Sequence, residues 1–210
     1  MAEPSTMPPV APPTVPVFDI GGVLLDWDPR YLYEKLLPDA ESVERFLSEI
    51  CTPAWNLEQD RGRPWDEAVD LLVARHPDQA ELIRAYRDRW SEMVPGAFED
   101  TVALLETLKS RGPVHAITNF SAEKFHECRE RFAFLDLFDT VVVSGEIGQV
   151  KPDPAIYHRL LGAAGVPAEA CVFIDDVEKN VVGARAVGMH AVRFDGADRL
   201  RRDLAGFGML

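Results

Sequence analysis

The sequence predicts an α/β protein built on a doubly wound parallel sheet, with a small helical domain inserted after the first strand. Three observations carry this expectation. Five short apolar runs rich in β-branched residues stand at 17–20, 114–118, 141–143, 172–174 and 191–194. Segments with helical spacing separate the later runs, which implies parallel pairing through right-handed crossovers. The stretch 31–94 breaks that rhythm, carrying helical patterns and no convincing strand.

The elements follow in chain order. Residues 1–16, "MAEPSTMPPVAPPTVP", hold six prolines and no basic segment, which reads as a disordered leader and neither a signal peptide nor a helix. Within 31–94, helical faces run through Val43, Phe46, Leu47 and Ile50, through Ala68, Leu71 and Leu72, and through Leu82, Ile83 and Tyr86. Pro38, Pro53, Gly62, Pro64 and Pro77 punctuate them, and Pro95-Gly96 marks the return to the sheet. The expected α/β core is therefore 17–30 joined to 95–210. Its helices are announced by Val102, Leu104, Leu105 and Leu108 before Gly112, by Ile156, Leu160 and Leu161 before Gly162 and Gly165, and by Val181, Val182, Ala184 and Val187 before Gly188. Strand runs without polar alternation fit a sheet covered on both faces.

Composition narrows the function classes. With 35 acidic against 22 basic side chains, the net charge of −13 argues against nucleic acid or an anionic membrane as partner. A small anionic substrate stays open, because one lysine and a bound cation reverse a local field. Cys51, Cys128 and Cys171 lie far apart and form no metal-ligand spacing, so a reducing cytoplasm is the expected setting. No apolar run approaches the roughly 18 residues of a membrane span. Monomer and homodimer both remain open.

The chemistry collects where an open parallel sheet binds ligands, beyond the carboxyl ends of its strands. The first strand delivers Asp19, the second Thr118 and Asn119, the third Ser144, and the fourth Asp175 and Asp176, while Lys151 follows the third after a short loop. Adjacent carboxylates repel unless something positive separates them, and an oxygen-ligated divalent cation, Mg²⁺ above all, supplies that charge. Alone, each of these residues has a plain structural alternative: a turn aspartate, a strand-end hydroxyl, a surface lysine. The five histidines match no catalytic pattern. For Trp55, Trp65, Arg61 and Arg63, packing or a solvated surface is favoured over substrate contact, and Asp26 and Trp27 read as a turn.

Four stretches in order, "FDIGGVLLD", "AITN", "GQVKPDP" and "FIDDVEKNVVGARAVG", resemble the motifs of the haloacid dehalogenase-like hydrolases, and 31–94 looks like that superfamily's helical cap. The resemblance implies a Mg²⁺-dependent phosphatase of a small phosphorylated metabolite, a sugar phosphate among the candidates. Asp19 is then the nucleophile that forms an aspartyl-phosphate. Asp19, Asp175, Asp176 and the Gly21 carbonyl are the implied metal ligands. Thr118 and the Asn119 backbone N–H bind phosphoryl oxygens, Lys151 balances the clustered negative charge, and Gly21-Gly22 lets the backbone approach. Asn180 is either an anchor for Lys151 or a helix surface residue.

One position departs from the pattern. Most phosphatases of the superfamily carry a second aspartate two residues after the nucleophile, which protonates the leaving group and activates water. Here that position is Gly21. The alternatives are a 2-haloacid dehalogenase, metal-independent and passing through an ester on Asp19, and a catalytically weakened ligand-binding relative.

Overall fold

The computed structural model describes residues 13–210. A five-stranded parallel sheet forms the centre of the molecule, built from β1 (Val15–Phe18) and four strands contributed later in the chain. After β1 come β2 (Leu25–Asp26), α1 (Arg30–Tyr33), α2 (Ala40–Glu49), α3 (Pro53–Asp60), α4 (Trp65–Arg75) and α5 (Ala80–Asp88). The chain returns through β3 (Gly96–Ala97) and α6 (Glu99–Lys109), and then alternates β4 (His115–Thr118), α7 (Ala122–Arg131), β5 (Thr140–Val143), α8 (Ser144–Ile147) and α9 (Pro154–Ala164). It closes with β6 (Cys171–Asp175), α10 (Glu178–Ala186), β7 (His190–Arg193) and α11 (Ala197–Gly206). The strand order β5-β4-β1-β6-β7 puts β1 in the middle, with the chain winding outward on both sides.

Period-two alternation divides the core between the two faces of the sheet. Val17, Ile117, Val142 and Phe173 point to one face, where Ile156, Tyr157 and Leu160 of α9 and Val181 and Ala184 of α10 cover them. Phe18, Ala116, Val143, Val172 and Ile174 point to the other, under α6 and α11. Both faces are thus buried, which is why these strands lack polar alternation.

The first 12 residues of the expected leader lie outside the described residues, but its end is corrected. Val15 and Pro16 belong to β1, in register with Cys171 and Val172 of β6. Pro16 has no N–H to donate, yet it precedes the point at which β4 begins to pair, at Val17. Three further features had no strong signal in the sequence. The ribbon β2–β3 is only two residues long on each side, pairing Leu25 with Ala97 and Asp26 with Gly96. Helix α7 is dominated by charged residues, and α11 shows few apolar ones.

Residues 30–88 hold five helices and, among the described residues, no strand of the main sheet. Their ends are set by local chemistry: Asp39 accepts a bond from the Ser42 N–H, and Thr52 accepts one from the Trp55 N–H ahead of Pro53. An aromatic cluster ties this insert to the core. Trp65 stacks on Tyr86 with centroids 5.7 Å apart and meets Trp55 edge-on, while its indole N–H donates to the Ser121 hydroxyl at 2.9 Å. Ser121 also caps α7, accepting from the Lys124 N–H, so one hydroxyl serves both units.

Trp65→Phe keeps the stack and removes the bridging bond, for an expected loss of about 1 kcal/mol. Trp65→Ala also opens a cavity, for an expected loss of about 3–5 kcal/mol. Denaturant unfolding of both variants measures the difference.

Candidate active site

The carboxyl edge of the sheet gathers most of the residues singled out in the sequence. Asp19 leaves the end of β1, where its N–H is held by the Ile174 carbonyl at 2.8 Å. Asp175 ends β6, and Asp176 follows it. Each of the three acids offers an oxygen within 4.8 Å of the others. Lys151 sits among them, only 2% exposed, with Nζ 2.7 Å from Asp19 Oδ1 and 2.7 Å from Asp175 Oδ2, and it donates to the Ile117 carbonyl at 3.1 Å. A lysine buried this deeply is not a surface residue.

Its loop is held from β4. The Asn119 side chain accepts from the Lys151 N–H at 2.8 Å and returns a bond to the Lys151 carbonyl at 3.2 Å. Burial by itself would discharge Lys151, but Asp19 and Asp175 outweigh it and hold the ammonium more basic than usual. Asp19 is pushed well above the usual aspartate range by burial, against the pull of Lys151 and with the push of Asp175 and Asp176. Asp176 is raised by burial and by Asp175.

Asp175 is fixed on every side. Its Oδ1 accepts from the Val177 N–H at 2.8 Å, and Asn180 Nδ2 bonds both oxygens at 3.0 and 3.1 Å. Asn180 is itself buried, with its backbone carbonyl accepting from the Tyr157 hydroxyl. Asn180 therefore anchors Asp175 and not Lys151. Asp19 Oδ2 and the Asp176 carboxylate carry no such bonds among the described residues, so the free oxygens face the same gap. A set of hard anionic oxygens with one ammonium alongside fits Mg²⁺.

The glycines separate on inspection. Gly22 has φ +75°, and a Cβ there would lie 2.7 Å from Asp176 Oδ2. Only glycine fits that approach. A Cβ at Gly21 would meet nothing within 4 Å, so the place of an absent side chain there is open space.

Thr118 is buried, and its hydroxyl has no hydrogen-bond partner among the described residues, as a group awaiting an external acceptor would be. It does not line the cavity described next. Ser144 is not brought to the acids: it is fully buried, and its Oγ accepts from the Phe120 N–H at 2.9 Å, locking the β4 loop to β5.

Above Asp19, Lys151 and Asp176 lies a cavity of about 360 Å³ whose walls come from both units. Trp27, Trp65, Trp90 and Phe120 supply its apolar side, and Asn56, Asp60, Lys124 and Lys179 its polar side. Sequence reasoning passed over Trp90, Asp60 and Lys124, because an aromatic or charged residue in a helix gives no sign of which face it presents, and it read Trp27 as part of a turn. Trp65 both packs and lines the cavity. Arg61 pairs with Glu58 at 3.5 Å, Arg63 donates to Gln59 and to the Trp55 carbonyl, and Trp55 packs against Trp65 and Tyr86, so these three serve the insert itself.

A family model described as haloacid dehalogenase-like hydrolase matches residues 15–188. A sesquiterpene phosphatase of Aspergillus oryzae is 31% identical over 175 residues, covering 82% of this chain and 85% of its own. A phosphorylated carbohydrates phosphatase of Thermotoga maritima is 27% identical over 184 residues, covering 84% and 82%. Among solved structures, a HAD family enzyme of Bacteroides thetaiotaomicron in complex with magnesium and inorganic phosphate superposes with a TM-score of 0.68 at 21% identity, over 87% of this chain and 94% of its own.

Lys151→Met strands two buried carboxylates, with an expected loss of about 3–5 kcal/mol near neutral pH. Without the ammonium, Asp19 binds its proton still more tightly when folded than when unfolded. The deficit should therefore shrink as pH falls toward the ordinary aspartate range, which urea unfolding at several pH values measures. Gly22→Ala should cost about 1–2 kcal/mol from its backbone alone, with Gly21→Ala well below that in the same assay.

Proposed function

Because the chain belongs to the haloacid dehalogenase-like hydrolases, we propose that it is a Mg²⁺-dependent phosphatase of a small phosphorylated metabolite, acting through an aspartyl-phosphate on Asp19. The observation that carries this reading is the buried Lys151 ammonium between Asp19 and Asp175, with Asp176 completing an acidic trio of which Asp19 and Asp176 line the cavity. Bound Mg²⁺ would be held by Asp19, Asp175, Asp176 and the Gly21 carbonyl, and would supply the charge that lets an anionic ester approach an anionic nucleophile.

The chain's own residues do the rest. Lys151 keeps Asp19 oriented and offsets the negative charge that gathers at phosphorus. Thr118, with its unpartnered hydroxyl, and the Asn119 N–H donate to the phosphoryl oxygens. Gly22 lets Asp176 come close to the nucleophile's loop. Residues 31–94 act as a cap over the core of 17–30 and 95–210, with Trp65 and Asp60 facing the reacting group from above.

The four aromatic walls favour an ester with a sizeable apolar organic group, in line with the relative named for a sesquiterpene, over the sugar phosphate that the sequence alone suggests. A 2-haloacid dehalogenase acting without metal has no use for an acidic trio of this kind. The three cysteines are free and buried, which suits a reducing cytoplasm, and no helix among the described residues is long and apolar enough to cross a membrane.

A panel of prenyl, alkyl, sugar and aryl phosphates, assayed for released phosphate with and without Mg²⁺, tests the proposal. The expected result is Mg²⁺-stimulated turnover, highest on the apolar esters and abolished in Asp19→Asn. Mg²⁺ at a hundred times its dissociation constant should also stabilise the protein by about 2.7 kcal/mol, an effect lost in Asp176→Asn. Metal-independent halide release from 2-chloropropionate with no phosphate released would overturn it.

A further inference from the structure

The core lacks the proton-transfer group that the motif usually places two residues after the nucleophile, and Gly21 leaves that place open. Any group that protonates the leaving oxygen must then come from elsewhere on the cavity wall. Among the described residues three carboxylates line this cavity: Asp19, Asp176 and Asp60. The first two are committed to nucleophile and metal. We infer that Asp60, the last residue of α3 and part of the inserted helices, is the general acid and base of the reaction, taking over the work of the missing aspartate; this rests on the phosphatase reading above.

Position and environment support the assignment. Asp60 lines the same cavity as Asp19 and Lys151. Its carboxyl is tethered there by a bond from Asn56 Nδ2 to Oδ2 at 3.2 Å and by the Ser121 backbone N–H. Burial raises its carboxyl to about 7, against the opposing pull of the Ser121 backbone N–H and the Lys151 ammonium. A group that titrates near neutrality exists in both the forms that the two steps require.

The other charged groups around it are engaged elsewhere or sit across the cavity. On its own helix Arg61 turns to Glu58. From α5 the Tyr86 hydroxyl is raised far out of range by burial and stays neutral. From α7 Lys124 is paired with Glu127 at 2.7 Å. From α10 Lys179, and from the sheet edge Asp19, Asp176 and Lys151, line the same space.

In the first step Asp19 attacks phosphorus, and the bond from phosphorus to the ester oxygen breaks with its electron pair on that oxygen. The Asp60 proton passes to it, releasing the alcohol. In the second step the Asp60 carboxylate takes a proton from water as that oxygen attacks phosphorus. The bond to Asp19 breaks with its pair returning to the Asp19 carboxylate, inorganic phosphate leaves, and Asp60 is protonated again. The sum is one ester and one water converted to one alcohol and one phosphate.

The test compares wild type, Asp60→Asn and the double variant Gly21→Asp/Asp60→Asn on an alkyl phosphate, whose leaving group needs a proton, and on 4-nitrophenyl phosphate, whose leaving group does not. Asp60→Asn should lose about 10²–10⁴-fold in kcat/KM on the alkyl ester and less than about tenfold on the aryl ester. The fall in alkyl kcat/KM as pH rises through about 7 should disappear with it. The double variant, with an acid in the open space at Gly21, should recover alkyl turnover. Equal losses on the two esters, or an unchanged pH profile, would overturn the inference while leaving the phosphatase reading intact. Wild type inert toward every phosphate ester would overturn both. A thermal melt accompanies each variant, and if Asp60→Asn melts early, Asp60→Glu replaces it. Retained alkyl selectivity in that variant supports a carboxyl role, and its loss together with aryl turnover refutes it.

Discussion

The structure turns on one buried ammonium. Lys151 reaches beneath the loops and binds the ends of three adjacent strands at once: the acid after β1, the Ile117 carbonyl of β4, and the acid that ends β6. In a low-dielectric interior none of these groups tolerates the loss of its partner, so the lysine is a clasp on the sheet and sets the field around Asp19. The surrounding bonds follow from that demand. Asn119 fixes the lysine's backbone, Asn180 fixes Asp175, and Tyr157 fixes Asn180 in turn. The carboxyl edge of the sheet is stiff because the charges beneath it cannot be left unmatched.

The inserted helices meet that edge through a different physics. Trp65, Tyr86 and Trp55 form a ring cluster inside the insert, which reaches the core through the indole bond to Ser121 and the Trp65 backbone N–H bond to Glu123. Trp90 packing on Phe120 adds aromatic area across the seam, and the polar bonds set the register. Both units contribute to both sides of the cavity: Trp65 and Trp90 of the insert stand with Trp27 and Phe120 of the core, and Asn56 and Asp60 of the insert with Lys124, Lys151 and Asp176 of the core.

Much of this was legible in the sequence, for reasons that differ by element. The strands of the main sheet were readable because each is buried on both faces and reads as a continuous apolar run. Asp19, Lys151, Asp175 and Asp176 stood out only as a set, acids at the ends of two runs and a lysine a short loop beyond a third, since each alone has a plain structural alternative. The start of β1 was not, since Pro16 looks like leader; only the register with β6 shows that it belongs to the sheet. The β2–β3 ribbon is too short to leave a periodicity. Asn180 and Asp60 are single polar residues on helices, and their importance lies in what stands opposite them, which is information between elements and not within one.

The ribbon carries a consequence of its own. Leu25 pairs with Ala97 and Asp26 with Gly96, so the chain leaves the core and re-enters it at neighbouring points. The inserted segment contributes no strand to the main sheet. Everything between the two halves of the ribbon can therefore change in length or composition without shifting a strand of the main sheet. The molecule is modular at this seam: one segment carries the sheet and its charges, and the other can vary without rewriting it.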